Sequence, residues 1–405
     1  MQNIWILNHY AGTSGGRHYK FAKNLTEDGY NVKVFRASTF HKRNENKITD
    51  GRQYLYELHN GVPYVFIKTR DYVGNGKDRV KNMFDYAWGL LSVTKEFDTK
   101  KPDIIYASSV HPLTWLAGYI LAKRYNAKFI AETRDLWPET LVAMGRIKRN
   151  SIPAKLLYTL ERFIYKKADA LIFTFPGGKD YVNNIGLDTT KVRYINNGVD
   201  STEFVDNKQK YIVEDTDLDN ENTFKVLYTG SMGQANALNY LLEAAKITNE
   251  KGFKDIRFIL YGDGYQKEEL ISYARDNNIS NVVFKGRVEK KYIPNVLSKG
   301  NLNIFTGKHI YLYKYGLSLN KLFEYFASGK PILSNMECEY NLLEKYKCGF
   351  TVPGGSAETL SEGILKFYHM PQREYESYGQ NALIAARDFD FKTLTRKLEK
   401  ILGEI

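Results

Sequence analysis

Cysteine is scarce in this 405-residue chain, and the two present, Cys338 and Cys348, cannot by themselves build a disulfide framework or a zinc site. Long apolar runs are also missing. The longest, Leu113–Ala122 (LTWLAGYILA), falls far short of the ~20 residues that a membrane-spanning helix needs. The opening MQNIWILNHY has no basic leader and no cleavage site, so no signal peptide is expected. Neither a Gly-x-Gly-x-x-Gly fingerprint nor a Walker A motif occurs, and no acidic residue closes the second expected strand to hold a ribose. A nicotinamide enzyme is thereby disfavoured. No short-period repeat suggests a solenoid. With 43% hydrophobic and 26% charged residues, wholesale disorder and collagen-like chains are excluded too. These absences leave a soluble, cytoplasmic protein of two or three domains, at roughly 150 residues each.

Positive charge is in excess, a net +12, and it is unevenly placed. Residues 1–200 carry 31 basic and 19 acidic side chains, whereas residues 201–405 carry 27 of each. The first half therefore suits an anionic partner (nucleic acid, an acidic membrane surface or a phosphate-bearing substrate), or it simply keeps the chain soluble. Basic residues scattered through helices and loops, without a recognised motif, argue against nucleic acid.

Strand and helix patterns alternate through both halves. An apolar run at Ile4–Leu7, a loop at Gly12–Gly16, a helix over Arg17–Asp28 and a strand at Val32–Phe35 make a βαβ unit of a parallel sheet. Further strands are expected at Ile104–Ala107, Phe129–Glu132 and Ala170–Phe173. A second set follows at Lys225–Thr229, Arg257–Tyr261, Val282–Phe284, Leu302–Phe305 and Pro331–Leu333. The seam falls after Asn197-Gly198-Val199-Asp200, and the polar Asp206–Asn222 stretch suits a linker or a first loop. The expectation is α/β throughout: a doubly wound domain over 1–200, a second over 201–380, and a C-terminal helical segment over 381–405 packing back toward the first. In its last helix Leu394, Leu398 and Leu402 make one apolar stripe. Ligands in such sheets bind beyond the carboxyl ends of the strands, so a cleft between the two domains is the expected site.

Chemistry-bearing residues gather at those strand ends. Gly15 and Gly16 would let backbone N–H groups approach a phosphate at a helix start, or form a plain tight turn. Glu132-Thr133-Arg134-Asp135-Leu136-Trp137-Pro138-Glu139 packs three carboxylates and an arginine after a strand, which is costly to bury unless paired. His111 comes from a neighbouring strand end. In the second half, Gly230, Gly264 and Arg287 each follow a strand. Asn320 and Lys321 open a helix whose N-terminal dipole already favours an anion. Glu324, one turn on, is placed to accept hydrogen bonds from a ribose diol.

In this order, the motifs resemble the family 4 glycosyltransferases, which have the GT-B fold: two doubly wound Rossmann-like domains facing across a deep cleft. The resemblance runs over nearly the whole chain, through Gly15-Gly16-Arg17, Asn197-Gly198-Val199-Asp200, Tyr228-Thr229-Gly230, Gly262-Asp263-Gly264 and the Asn320–Pro331 block. Residues Glu132–Glu139 are similar to the signature of a bacterial branch that includes N-acetyl-L-fucosamine transferases of the WbuB type, in O-antigen and capsule assembly. Two departures stand out. Gly316 occupies the first position of the family's Glu-x7-Glu motif, and Ser231–Ala237 lacks the usual Arg/Lys pair.

The resemblance implies retaining, metal-independent transfer of a sugar, an N-acetylated amino sugar by the branch, with no cofactor beyond the UDP-sugar co-substrate and no metal ligands. The acceptor would be a polyprenyl-diphosphate-linked sugar at an anionic membrane surface, and the protein would sit peripherally on the inner face of the cell membrane. Implied donor-binding residues are Gly15, Gly16, Arg17, Gly230, Gly264, Arg287, Asn320, Lys321 and Glu324, with Lys308 as a further candidate for the diphosphate. Glu132, Arg134 and Trp137 are implied for the acceptor, and His111, Asp135, Lys321 and Glu324 for catalysis. The Arg79–Leu91 helix, with Val80, Met83, Phe84, Ala87, Trp88 and Leu91 on one side, is either core-facing or made for a membrane interface. A catalytically degenerate partner subunit and a UDP-sugar 2-epimerase are the alternative readings.

Overall fold

The computed structural model describes residues 2–40, 45–74, 76–109 and 111–405. It divides into two compact units: one runs up to Asn196 and includes Phe391–Ile405, and the other is Asn197–Asp390.

In the first unit, runs rich in Ile, Val, Phe and Tyr form strands β1 (Asn3–Leu7), β2 (Asn31–Ala37), β5 (Tyr54–His59), β6 (Val62–Ile67), β7 (Ile104–Ser108), β8 (Lys128–Thr133), β9 (Ala170–Phe173) and β10 (Val192–Tyr194). They build an eight-stranded sheet in the order β10-β9-β8-β7-β1-β2-β6-β5. Every pairing is parallel except β5 with β6, an antiparallel hairpin at the edge. A two-residue ribbon, β3 (Thr39–Phe40) with β4 (Glu45–Asn46), lies outside it. Inner strands such as β7 are buried along their whole length, as a sheet covered on both faces requires. The unit's helices are α1 (Arg17–Glu27), α2 (Lys77–Val93), α3 (Pro112–Tyr125), α4 (Glu139–Ala143), α5 (Ile152–Lys167) and α6 (Gly178–Asn184). Helix α3 starts on a proline, which is preset for a first turn, and ends on Asn126 in the left-handed region. It packs on both α2 and α5, so the three form one layer.

The second unit has α7 (Ser201–Lys210), α8 (Thr216–Asp219), α9 (Asn239–Glu250), α10 (Lys267–Asp276), α11 (Ile293–Ser298), α12 (Asn320–Ser328), α13 (Leu342–Tyr346), α14 (Ala357–Tyr368) and α15 (Gln372–Asp388). Its six-stranded parallel sheet runs β13-β12-β11-β14-β15-β16. Those strands are β11 (Phe224–Ser231), β12 (Ile256–Asp263), β13 (Val282–Gly286), β14 (Leu302–Phe305), β15 (Ile332–Ser334) and β16 (Gly349–Thr351). Val226, Phe258, Leu260 and Ile304 from the sheet share one core with Leu241 and Leu242 of α9 and Leu360 and Ile364 of α14. Each such side chain contributes about 1.5–3 kcal/mol by burial.

Two expected boundaries shift. The stretch read as a polar linker, 206–222, is largely α7 and α8. Two of its acids are tied in: Asp215 and Asp217, an Asp-x-Asp step, both hold Lys285, at 2.8 and 2.6 Å, next to the buried Leu218. The expected C-terminal segment 381–405 divides at Asp390. Residues up to Asp388 finish α15 in the second unit, and α16 (Phe391–Glu404) belongs to the first. There Leu394, Leu398 and Leu402 are buried, Phe391 meets Phe21 edge-on, and Thr395 Oγ1 accepts from Asn24 of α1 at 3.0 Å.

Candidate functional site

In the first unit the C-terminal ends of β1, β7 and β8 are tied together: Asn8 Nδ2 donates to Ser108 Oγ at 3.0 Å, and the Arg134 backbone N–H to Ser109 Oγ at 3.1 Å. Glu132, at the end of β8, is fully buried. Its Oε1 accepts from Arg17 Nε at 2.6 Å and from the Tyr106 hydroxyl at 2.5 Å, and its Oε2 pairs with His18 Nε2 at 2.8 Å. Burial alone would raise this carboxyl. Arg17 and His18 outweigh it and hold Glu132 well below the usual carboxylate range.

Arg17, expected to face the donor, is therefore an interior residue. Each of its three nitrogens donates within the protein, Nη1 and Nη2 to the carbonyls of Asn196 and Ile195. The expected acceptor ligand Glu132 is spent in the same network. The structure turns both inward for one reason: a buried arginine is tolerable only when fully paired, and each residue is the other's partner. What remains open is the turn before α1. An added Cβ at Gly15 or Gly16 would meet nothing within 4 Å, and Gly16, at φ 87°, has a conformation that favours glycine.

A second buried chain ends at His111. Asn82 Nδ2 donates to the Arg70 carbonyl and to Thr39 Oγ1, at 2.5 and 3.1 Å, so its Oδ1 is the acceptor for His9 Nε2 at 2.7 Å. A neutral His9 protonated on Nε2 can only accept on Nδ1, and it does so from His111 Nε2 at 2.8 Å. The remaining nitrogen, His111 Nδ1, is then a bare lone pair, buried and without a partner. Both imidazoles stay neutral: burial pushes His111 down to about 3, with Arg79 adding to the effect, and burial followed by His111 lowers His9 well below its ordinary value. Arg134 Nε, at the end of β8, is likewise buried and without a partner. One orphan acceptor and one orphan donor at neighbouring strand ends are what a ligand would satisfy with a hydroxyl for His111 and a hydroxyl or phosphate oxygen for Arg134. Asp135 reaches solvent, and Trp137 is half-buried before a cis Pro138. Glu139 is buried and held by Arg149 and Tyr158.

The second unit builds its site largely from backbone. At the ends of β11 and β12, Gly230 and Gly262 sit side by side at φ 152° and 151°. A Cβ on Gly262 would stand 1.7 Å from the Gly230 carbonyl oxygen, and one on Gly264 2.3 Å from that of Met232. Lys321 reaches over this turn from the first turn of α12. Its Nζ donates to the Tyr228 hydroxyl at 3.0 Å and to Asn236 Oδ1 at 3.1 Å, and lies 4.3 Å from the centre of the Tyr228 ring. Neither acceptor is charged. Burial pushes this amine down to about 7, and Glu324 pulls it partly back. Two acceptors match the two hydrogens of a neutral amine; an ammonium form has a third to give. Glu324 stays partly accessible and pairs with Lys290 at 3.2 Å. Asn320, Arg287 and Lys308 are exposed.

Sequence reasoning missed His9 and Asn82, because single polar residues in an apolar strand end and a helix carry no motif. It also missed Glu161, a buried carboxyl that burial pushes up to about 8, hydrogen-bonded by Tyr181. Among the described residues no cluster of three or more His, Cys, Asp or Glu is poised to hold a metal ion, and no helix is long and apolar enough to cross a membrane.

Comparison with known proteins agrees with this division. Residues 18–203 match the family described as Glycosyltransferase Family 4, and residues 213–383 that described as Glycosyl transferases group 1. A probable glycosyltransferase of Pseudomonas aeruginosa, WbjE, is 23% identical over 255 residues; the match spans 61% of this chain and 61% of the length of that relative. The sucrose-phosphate synthase of Thermosynechococcus elongatus superposes with a TM-score of 0.74 at 16% identity, over 100% of this chain and 99% of that one. Anabaena HepE, solved in complex with UDP, gives 0.70 at 15% identity, with all of both chains covered. The chain thus matches two glycosyltransferase domain models in succession, family 4 over the first unit and group 1 over the second, and its fold is of the GT-B type.

Proposed function

We propose that the protein is a retaining, metal-independent glycosyltransferase that moves a sugar from a UDP-sugar to a lipid-diphosphate-linked saccharide in bacterial surface polysaccharide synthesis. The observation that carries this reading is Lys321. The loop after β11 lacks the Arg/Lys pair of the family, yet the Lys321 amine sits over Gly230 with its lone pair open to a third proton. A diphosphate there would supply the missing third acceptor, and the amine would take up a proton to meet it. As the glycosidic bond breaks, the leaving diphosphate gains negative charge. A fixed cation and the N-terminus of α12 aimed at that charge lower the barrier. The departing phosphate oxygen can itself take the acceptor's proton, so no side-chain base is required.

In this reading Arg287 and Asn320 assist at the phosphates, Glu324 accepts from the ribose hydroxyls, the Gly15–Gly16 turn leaves room for the donor, and Gly264 lets its loop close on Met232 beside it. His111, a fixed acceptor, receives a hydroxyl hydrogen from the sugar, while Arg134, Asp135 and Trp137 orient the acceptor. UDP binding by HepE and the Glu132–Glu139 signature favour UDP and an N-acetylated amino sugar.

One observation favours a second reading, a degenerate partner subunit. Gly316 stands where the family has a sugar-binding glutamate, and its φ of 98° would strain any side chain, so the change is built into the backbone. A transfer assay separates the two, using labelled UDP-sugars and polyprenyl-diphosphate-linked mono- and disaccharides with butanol extraction. Label entering the organic phase, and lost in Lys321→Ala and Glu324→Ala, is the expected result. UDP binding without lipid label across the panel would replace the transferase with the partner subunit, and a new UDP-sugar would replace it with an epimerase.

A further inference from the structure

The helical layer of the first unit ends in an unusual outer surface. On α2 the residues facing the sheet are Asn82, Tyr86, Leu90 and Val93, so the apolar stripe Val80–Phe84–Trp88 points to solvent, with Trp88 76% exposed. Helix α5 repeats the arrangement. Ala154, Glu161, Ile164 and Tyr165 face inward, and Ile152, Leu156 and Phe163 lie outward, the first two 75% and 66% exposed. Because α3 packs against both helices, and because each buries its opposite side, the two stripes face away from the same sheet. Single exposed apolar residues need no explanation, but two parallel stripes of Trp, Phe, Ile and Leu do.

We infer that this face of α2 and α5 docks onto an anionic phospholipid bilayer. The charges choose the occupant. Every exposed charged residue on α5 is basic, namely Lys155, Arg162, Lys166 and Lys167, and its one acid, Glu161, is buried. On α2 the exposed Lys77 and Lys81 flank the stripe, with Asp78 paired to Lys81 at 3.2 Å, so the basic excess is carried mainly by α5. Apolar side chains ringed by lysines suit the boundary between acyl chains and acidic headgroups, where rings enter and ammonium groups stay outside. A second copy of the chain would bring lysines against lysines. A nucleic acid would find no stacking partner in Ile152 or Leu156. The inference deepens the lipid-linked acceptor reading and takes its purpose from it, but the surface is testable without any transfer reaction.

Flotation of the full chain with vesicles of phosphatidylcholine alone, and of phosphatidylcholine with phosphatidylglycerol, provides that test. Trp88→Ser, Leu156→Ser and the double variant run alongside, with circular dichroism and UDP binding as controls of fold. Binding is expected to the anionic vesicles only, weakened roughly tenfold by each substitution and lost in the pair. Equal flotation of the double variant and the unsubstituted chain would overturn the proposal, as would no flotation of the latter or equal binding to neutral vesicles. So would a dimer in sedimentation that the double variant abolishes, with vesicle binding untouched. Transfer to a detergent-solubilised acceptor, measured in the same variants, stays intact if only the membrane contact is lost. It is absent in every form, the unsubstituted chain included, if the transferase reading itself is wrong.

Discussion

The two units fix their strand-end loops in opposite ways. In the first, side chains do it: Arg17, His18 and Tyr106 converge on Glu132, and Asn82 and His9 lead to His111, with almost every polar atom spoken for. In the second, backbone does it: Gly230, Gly262 and Gly264 let two strands and their loops close up until no Cβ fits, and a single amine reaches over them. Charged side chains near the first site are therefore mostly buried in closed networks, whereas around the second Arg287, Lys308 and Lys290 stay exposed and Glu324 partly so. A buried ion network costs desolvation and returns it only when complete; a glycine turn costs little and leaves N–H groups pointing outward.

The sharpest way to break this contrast is Glu132→Gln, which leaves the Arg17 guanidinium buried without a countercharge. A loss of about 3–5 kcal/mol in urea unfolding is expected, and near-neutral behaviour would mean that Arg17 finds another route to solvent. Next comes Gly262→Ala, which forces the ends of β11 and β12 apart. A loss of about 2–3 kcal/mol is expected from the clash and the backbone strain, together with weakened UDP binding in calorimetry. The smallest effect is a pH slope. Lys321 ordinarily titrates at 10.5 and in the folded chain at about 7. Between those values the unfolded chain holds the extra proton, so this residue makes stability rise with pH, by up to about 1.4 kcal/mol per unit. Lys321→Met should flatten that rise in unfolding curves recorded from pH 7 to 10. UDP binding by the unsubstituted chain should show the reverse sign, weakening as the amine loses its proton.

Most of the fold was legible. The strands at Ile4, Val32, Ile104, Phe129, Ala170, Lys225, Arg257, Val282, Leu302 and Ile332 all lie where apolar runs place them, because a parallel strand buried on both faces is a continuous hydrophobic word. The β5–β6 hairpin went unread. Its edge strand β5 mixes half-buried and exposed residues, where pattern is weak, and the buried apolar run of β6 beside it was not singled out. Helix α2 shows another limit: its sequence carries two stripes, Val80–Phe84–Trp88 and Tyr86–Leu90–Val93, and periodicity cannot say which one the sheet takes. The second site was more legible than the first for the reason the comparison gives. Glycines at strand ends and a lysine opening a helix announce themselves in sequence. Whether Arg17 and Glu132 look at a ligand or at each other depends on a fold that brings together residues 115 positions apart.

Where the chain passes into the second unit and where it leaves it, the backbone is paired: Val199 N–H donates to the Phe389 carbonyl at 3.1 Å, and Val199 bridges Asp390. Topologically, then, the second unit is an insertion whose two ends are one hydrogen bond apart. It is a cassette, replaceable by a single in-frame exchange between Asn196 and Phe391. A graft of another nucleotide-binding unit needs only its own pair of adjacent ends, while α16 remains stitched to α1. Recombination among such chains can therefore trade the inserted unit without disturbing the unit whose α2 and α5 stripes face outward.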